Sequence, residues 1–91
     1  MNTKQIIEYI NLLKPKHMQI DAHYIYDEGW DYAIRLHWNR SHGVNNILGF
    51  RTRINKPCVR RFKWLNDIFN LVDTREVNLY LVELTYTVKD D

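Results

Sequence analysis

The chain has few of the features that would assign it to a well-defined class. Cys58 is its only cysteine, so no internal disulfide can form and no zinc site can be built from thiolates alone. No apolar run reaches the roughly 18 residues that a membrane-spanning helix needs. Glu8 interrupts the N-terminal apolar stretch and no small-residue cleavage site follows, unlike in a signal peptide. We therefore expect a reducing, cytoplasmic location and no membrane partner.

Catalytic motifs are also missing. The three glycines, at positions 29, 43 and 49, form no phosphate-binding loop. No serine stands in a nucleophile motif, and Cys58 is best interpreted as a small apolar residue on a helix. The sequence therefore predicts a protein that is not an enzyme and that has no cofactor and no catalytic or metal-ligating residues.

The most informative absence is that of acidic residues between positions 32 and 66. This segment carries eight cations: Arg35, Arg40, Arg51, Arg53, Lys56, Arg60, Arg61 and Lys63. Residues 1–31 have three Lys against five carboxylates (−2), and residues 67–91 have two cations against six carboxylates (−4). The net charge of +2 therefore combines a middle of +8 with ends that sum to −6.

The length and composition indicate one folded unit. Ninety-one residues make a single globular domain, 1–91, and 45% hydrophobic with 26% charged residues is close to the globular average. A chain of this size has a small core, but its twelve aromatic residues (three Trp, six Tyr and three Phe) can each bury about 150–250 Å².

Hydrophobic periodicity predicts six elements in the order α-β-β-β-α-β. The predicted elements are a helix over 2–13, strands over 17–27, 31–39 and 47–54, a helix over 55–73, and a strand over 77–88. We expect an α+β fold in which a mainly antiparallel four-stranded sheet carries two helices on one face. Pro15 ends the first helix, and Asn55 and Pro57 start the second.

Three details follow from these phases. A three-residue loop at positions 28–30 would pair Tyr24 with Ile34 and place Tyr24 on the core face. The second helix would bury a stripe made of Val59, Phe62, Leu65, Phe69 and Val72. The last strand is apolar on both faces, so its face at Val77, Leu79 and Leu81 would need a cover, either from the chain termini or from a second copy.

The cations suggest an anionic partner. Arg51 and Arg53 should point away from the core, and the strand pairing can set Arg35 opposite Arg51. The second helix concentrates cations at its N-terminus, where the helix dipole disfavours them but where an anion can bind. Only Trp64 among the nearby aromatic residues is expected to be exposed. The candidate binding residues are Arg35, Arg51, Arg53, Lys56, Arg60, Arg61, Lys63 and Trp64.

Three functional hypotheses fit this pattern. The first is a small non-catalytic protein that docks its basic, aromatic-containing face on nucleic acid or on a nucleic-acid-containing complex. The second is a phage-type protein–protein inhibitor or adaptor that uses the same face against an acidic protein surface. The third is a metal-dependent nuclease, because His37 and His42, with Asn39 between them and Asn45 following, resemble the ββα-metal nucleases. In that family a helix follows the loop, whereas here a strand does, so we prefer a simple cross-strand contact between Asp21 and His37.

Self-association is a further expectation, since acidic ends could meet the basic middle of another copy.

Overall fold

The computed structural model describes residues 1–41 and 46–89 of the chain. Within these ranges the elements are helix α1 (Thr3–Leu13), strands β1 (Met18–Ile20), β2 (Tyr24–Asp27), β3 (Tyr32–Arg35), β4 (His37–Arg40) and β5 (Ile47–Asn55), a 3-10 helix (Lys56–Asp67), and strands β6 (Phe69–Glu76) and β7 (Leu81–Val88).

The strands form two antiparallel sheets. One has three strands in the order β1-β2-β3, and the other has four strands in the order β4-β5-β7-β6. Both helices contribute side chains to the same buried cluster, with Ile6 and Ile10 from α1 and Phe62 and Leu65 from the 3-10 helix. The predicted α+β class and its antiparallel four-stranded sheet are confirmed, and the order of elements is roughly as predicted.

Helix α1 forms for the reasons visible in its sequence. Asn2 accepts a hydrogen bond from the backbone N–H of Gln5, and the Gln5 side chain accepts one from the backbone N–H of Asn2. This capping box satisfies two donors that the first turn cannot pair internally. The helix ends at Leu13, just before Lys14 and Pro15, as predicted.

The predicted strand over 17–27 is instead two strands with a turn at residues 21–23. Asp21 causes this break, because its carboxylate accepts hydrogen bonds at 2.8 Å from the backbone N–H groups of both His23 and Tyr24. The turn changes the phase of the strand, so Ile25 rather than Tyr24 pairs with Ile34. The predicted register was therefore wrong by one residue, and Tyr24 lies outward instead of in the core.

A single residue divides the predicted strand over 31–39. Leu36 is buried between β3, which belongs to the small sheet, and β4, which belongs to the large one. Burial still alternates through the division, with Ile34 and Leu36 inside and Arg35 and His37 outside. The outward sides of the two sheets are therefore joined along one extended segment.

The second helix is shorter than predicted and has a different geometry. A 3-10 helix has about three residues per turn, so residues three apart lie above one another. Val59, Phe62 and Leu65 have that spacing, and the buried Ile68 follows at the same interval. Non-helical backbone angles at Phe62 (φ −113°, ψ 15°) divide the element, in keeping with the short runs that 3-10 helices favour.

Strand β6 occupies residues that we predicted as helix. Phe69 is buried as predicted, but Val72 is 56% exposed and is skipped in the pairing with β7 at an irregularity between Leu71 and Asp73. The predicted helix over 55–73 was therefore wrong beyond Asp67. Its apolar spacing did not separate a continuing helix from a bulged edge strand.

The final strand is also shorter than predicted. Val77 and Leu79 lie in the connection between β6 and β7, and Leu79 is 77% exposed at its tip. The predicted uncovered strand face at these residues is thus largely a turn. In β7, Tyr86 stacks on Phe50 of β5 with ring centroids 4.9 Å apart, and burial raises the pKa of Tyr86 to about 12.

Candidate functional site

The basic segment folds onto two sides of the four-stranded sheet. Arg51 and Arg53 alternate along β5 with the buried Phe50, Thr52 and Ile54. Because successive side chains of a strand point to opposite faces, the arginines project away from the core. The 3-10 helix contributes to that core and so covers the other face. The structure therefore separates Arg51 and Arg53 from the cations of the 3-10 helix.

We name the outward surface of both sheets the outer face. Its residues are Tyr24, Tyr26, Trp30, Arg35, His37, Arg51 and Arg53. Arg35 and His37 follow each other on the outward side of the β3–β4 segment, and His37 pairs directly with Arg51 across the strands. Arg35 lies opposite Tyr24 in the small sheet and not opposite Arg51 as predicted. The two sheets thus supply one row of cationic groups, formed by Arg35, Arg51 and Arg53. Arg35 lies at the end of this row that is next to the aromatic residues.

Among residues 1–41 and 46–89, carboxylates reach only one end of this row. Arg53 Nε lies 3.2 Å from Glu83 Oε2, and Arg75 Nη2 lies 3.1 Å from the other oxygen of Glu83. The ion pair with Arg53, followed by that with Arg75, lowers the pKa of Glu83 against the opposing effect of desolvation. Arg35 and Arg51 are exposed and form no salt bridge with any residue of the described ranges.

Three aromatic side chains pack ring against ring at the other end of the outer face, with planes inclined by 30° and 34°, and we call this group the aromatic stack. The ring of Tyr26 lies 5.7 Å from that of Tyr24 and 3.7 Å from that of Trp30, measured between centroids. Trp30 is 64% exposed. An exposed indole supported by a second ring is a surface on which a flat ligand can stack.

The backbone that presents Trp30 is strained. Glu28, Gly29 and Trp30 have consecutive positive φ angles of 44°, 67° and 78°. Glycine adopts this region freely, whereas for a bulky residue such as Trp it is an outlier. Strain of this kind costs about 1–3 kcal/mol and tends to occur at functional sites. The hairpin thus tolerates a backbone cost that places the indole on Tyr26.

A polar contact fixes the middle ring. The Tyr26 hydroxyl donates a hydrogen bond of 3.0 Å to Asp21 Oδ2. Desolvation and this bond raise the pKa of Tyr26. Burial disfavours the charged form of Asp21, but the backbone N–H groups of His23 and Tyr24 and the Tyr26 hydroxyl outweigh it and lower the pKa of Asp21. The turn that changed the strand phase therefore also orients the aromatic stack.

Open grooves lie at both ends of the outer face. The first, of about 590 Å³, has Tyr26 and Trp30 in its wall together with Lys16 and Gln19. The second, of about 280 Å³, is lined by His37, Arg51, Arg53 and Glu83. Arg35 stands between them along the strand. The arrangement offers a stacking site and a cationic site to one extended ligand.

The side of the molecule that carries the 3-10 helix holds the other predicted residues, and we call it the helix side. Lys56 pairs with Glu76, and Arg61 Nη1 pairs with the buried Asp27 Oδ2 at 3.2 Å. Arg60 and Lys63 are exposed without a salt bridge to any described residue. On this side, half of the predicted binding cations are thus already bound by carboxylates.

Two predicted surface features differ in the structure. Trp64 is half-buried and packs against the core, and its indole N–H donates to Met18 Sδ at 3.0 Å, so the expected exposure was wrong. Asp21 contacts Tyr26 and not His37, because His37 lies opposite Arg51. His42 lies outside the described residues.

The aromatic stack was missed in the sequence. Tyr24 and Tyr26 had been assigned to the core, because the strand phase was carried through the break at Asp21. Trp30 carried a usable signal, since a tryptophan directly after a glycine in a hairpin loop has no strand position from which to reach the core.

Comparisons with protein-family models, with curated proteins and with solved structures found no match to this chain. Among the residues that the structure describes, no helix is long and apolar enough to cross a membrane. Inferences about function therefore rest on the chemistry of the surfaces.

Proposed function

We propose that this chain is a small non-catalytic protein that binds single-stranded nucleic acid on its outer face. The observation that supports this most is the alignment, on one surface, of the Tyr24–Tyr26–Trp30 stack with Arg35 and Arg51, which form no salt bridge within the part of the chain that the structure describes. Proteins that bind single strands without strong sequence preference combine these two elements: aromatic rings stack on bases, and a basic groove follows the phosphates.

The magnitudes indicate modest affinity. Stacking of one base on an aromatic side chain contributes about 1–3 kcal/mol. Each phosphate neutralised on a single strand adds about −0.7 to the slope of log K against log salt concentration. Arg35, Arg51 and the partly neutralised Arg53 would contact two to three phosphates, so we expect a slope of about −2. We expect binding in the micromolar range at low salt.

The test measures fluorescence anisotropy of labelled single-stranded and duplex oligonucleotides between low and physiological salt. Trp30→Ala should weaken single-strand binding about fivefold or more, the equivalent of at least about 1 kcal/mol. The double variant Arg35→Ala/Arg51→Ala should weaken it further and reduce the salt slope by about 1.4.

The chain offers a matched control. Arg60→Ala/Lys63→Ala also removes two positive charges, but from the helix side. These two cations are likewise exposed and form no salt bridge with any described residue. Affinity should then fall only slightly. Equal losses for the two double variants would show that overall charge and not the outer face governs binding. No binding of any oligonucleotide at micromolar protein would refute the proposal.

A second candidate is a phage-type inhibitor or adaptor that binds an acidic protein. A groove of about 370 Å³ on the helix side favours it, because apolar residues including Phe62, Leu71 and Val82 line it together with Lys56 and Lys63. The neighbouring Val72 is 56% exposed. Basic groups beside apolar surface suit an acidic, amphipathic protein segment.

Recovery of partners from a lysate with and without nuclease separates the two candidates. A partner that survives nuclease treatment and is lost with Arg60→Ala/Lys63→Ala would favour the protein-binding function. A partner lost with nuclease and with Arg35→Ala/Arg51→Ala would favour the nucleic-acid function. Light scattering at two salt concentrations tests the proposed self-association.

We also propose a reducing cytoplasm as the compartment of this protein, because it has a single cysteine.

A further inference from the structure

Three side chains of types that can bind a metal ion lie together where β1 and β2 pair. Met18 of β1 lies opposite Asp27 of β2, which places the preceding His17 beside the following Glu28. A backbone hydrogen bond of 3.1 Å from the Glu28 N–H to the His17 carbonyl fixes this proximity. One donor atom from each of His17, Asp27 and Glu28 lies within 4.8 Å of the others.

One oxygen of Asp27 gives independent support for a ligand at this cluster. Its side chain is 2% exposed, and its Oδ1 atom is buried without a hydrogen-bond partner in the described residues. The other oxygen, Oδ2, is 3.2 Å from Arg61 Nη1. A buried carboxylate normally needs partners for both oxygens, because an unsatisfied charged atom is costly. His17 Nε2 lies 3.4 Å from Oδ1, and this contact is an ion pair only if the imidazole is protonated.

We propose that His17, Asp27 and Glu28 form a zinc site. Two ligands bound at about 2.0–2.1 Å in tetrahedral geometry are roughly 3.4 Å apart. The distance from His17 Nε2 to Asp27 Oδ1 is that value. A donor set of one imidazole and two carboxylates suits Zn²⁺, whereas Mg²⁺ and Ca²⁺ favour oxygen ligands only. Water would occupy the fourth position, since His17 and Glu28 are exposed.

Arg61 supports this assignment. Carboxylates that bind a metal are usually hydrogen-bonded through outer residues that orient them. Arg61 holds Oδ2 and leaves Oδ1 free to coordinate. With one guanidinium, two carboxylates and a neutral imidazole, the cluster carries −1, so a divalent cation reduces the imbalance of charge. Arg61 is thus a positioning residue and not a ligand.

The test titrates the protein with Zn²⁺ alone against a chromophoric chelator. We expect one zinc per chain, and His17→Ala and Glu28→Gln should each lower the affinity about tenfold or more. Both positions are exposed, so circular dichroism should show folded variants. His23→Ala, in the turn at the other end of the β1–β2 hairpin, and Asp31→Asn are matched controls at exposed positions and should leave the affinity unchanged.

A second measurement reports geometry. Co²⁺ in a four-coordinate site absorbs visible light far more strongly than Co²⁺ in a six-coordinate site, so we expect a strong visible spectrum that Zn²⁺ abolishes. Failure to bind Zn²⁺ at tens of micromolar protein, unchanged affinity in both ligand variants, or a weak six-coordinate Co²⁺ spectrum would each overturn the assignment. Neither measurement depends on nucleic-acid binding, so this inference and the proposed function succeed or fail separately.

Discussion

The outer face and the helix side draw their cations from the same uninterrupted basic segment, yet they use them differently. On the outer face, Arg35 and Arg51 form no salt bridge with any described residue, and they lie in line with the aromatic stack. On the helix side, Lys56 and Arg61 are bound by Glu76 and Asp27. Carboxylates distant in sequence have thus folded back onto one surface and largely spared the other.

This contrast shows why charge segregation along a chain is an incomplete guide to surface charge. Strand alternation alone sends Arg51 and Arg53 to the face opposite the 3-10 helix. Acidic residues of the two flanks then meet whichever cations their own strands approach. A cation that contacts a buried carboxylate serves folding, whereas one that contacts only solvent is available to a partner.

The largest expected effect concerns the strand that supports both surfaces. A Cβ atom at Gly49 would lie 1.9 Å from the Tyr86 backbone oxygen, so Gly49→Ala must separate β5 from β7. We expect a loss of about 3 kcal/mol in unfolding free energy, the upper end of overpacking costs, measured by urea denaturation. Gly29→Ala is the control: no atom lies within 4 Å of its Cβ position, and only the positive φ opposes it, so its cost should be about 1 kcal/mol. Equal costs would contradict the close approach.

The next effect concerns the buried side of the sheet. Tyr86 has a pKa of about 12 when folded, against 10.0 ordinarily, so the unfolded chain loses this proton first as pH rises. Stability from Tyr86 is complete below pH 10 and is lost as pH rises from 10 toward 12, by roughly 2–3 kcal/mol at about 1.36 kcal/mol per pH unit. Urea denaturation across this pH range should show that Tyr86→Phe removes most of this loss. An identical alkaline decline in both proteins would contradict the assignment.

A third prediction compares two arginines across the sheet. Arg61→Ala leaves the buried Asp27 without its guanidinium, and we expect a loss of about 2 kcal/mol, below the usual cost of breaking a fully buried pair because Arg61 is 39% exposed. Arg51→Ala should cost less than about 0.5 kcal/mol, as for ordinary surface substitutions. Denaturation of both variants at neutral pH measures the difference. A large loss for Arg51→Ala would remove the distinction between a folding role and a binding role.

The smallest effect concerns two acidic residues. Glu83→Gln frees Arg53 on the outer face and Arg75, the second partner of Glu83, so affinity for a single-stranded oligonucleotide should rise about threefold at low salt. Glu76→Gln makes the same change beside Lys56 on the helix side and should alter affinity little. Anisotropy titrations of both variants provide the measurement. A greater gain for Glu76→Gln would place the binding surface on the helix side.

The sequence predicted the elements whose local signals were strong. The capping box and Pro15 defined α1, and alternation gave β5 with Arg51 and Arg53 outward. The sequence did not predict that Asp21 would accept hydrogen bonds from the backbone at residues 23 and 24. The change of strand phase at this turn was therefore missed, and Tyr24 and Tyr26 were assigned to the core. The apolar residues between positions 55 and 73 are spaced three or four apart, and this spacing fits an α-helix, a 3-10 helix and the start of β6 equally well. The end of the helix at Asp67 could therefore not be predicted without the tertiary packing of Phe69.

The proposed zinc ligands were equally difficult to find from sequence spacing. His17 and Asp27 are ten positions apart, and only the pairing of β1 with β2 brings them together. Trp64 was mispredicted in the opposite way: its position on the helix indicated exposure, but Met18 from β1 packs against it. Contacts between strands distant along the chain decide such cases, and they are set by register rather than by composition.

The single buried residue between β3 and β4 restricts how this protein can change over evolutionary time. Insertion or deletion of one amino acid at Leu36 would rotate everything beyond it by half a strand period, which would send either Arg35 or His37 inward. Natural variants should therefore alter the length of the hairpin loops freely while keeping the segment from Ala33 to Trp38 at constant length. Laboratory libraries that sample length changes should show the same asymmetry.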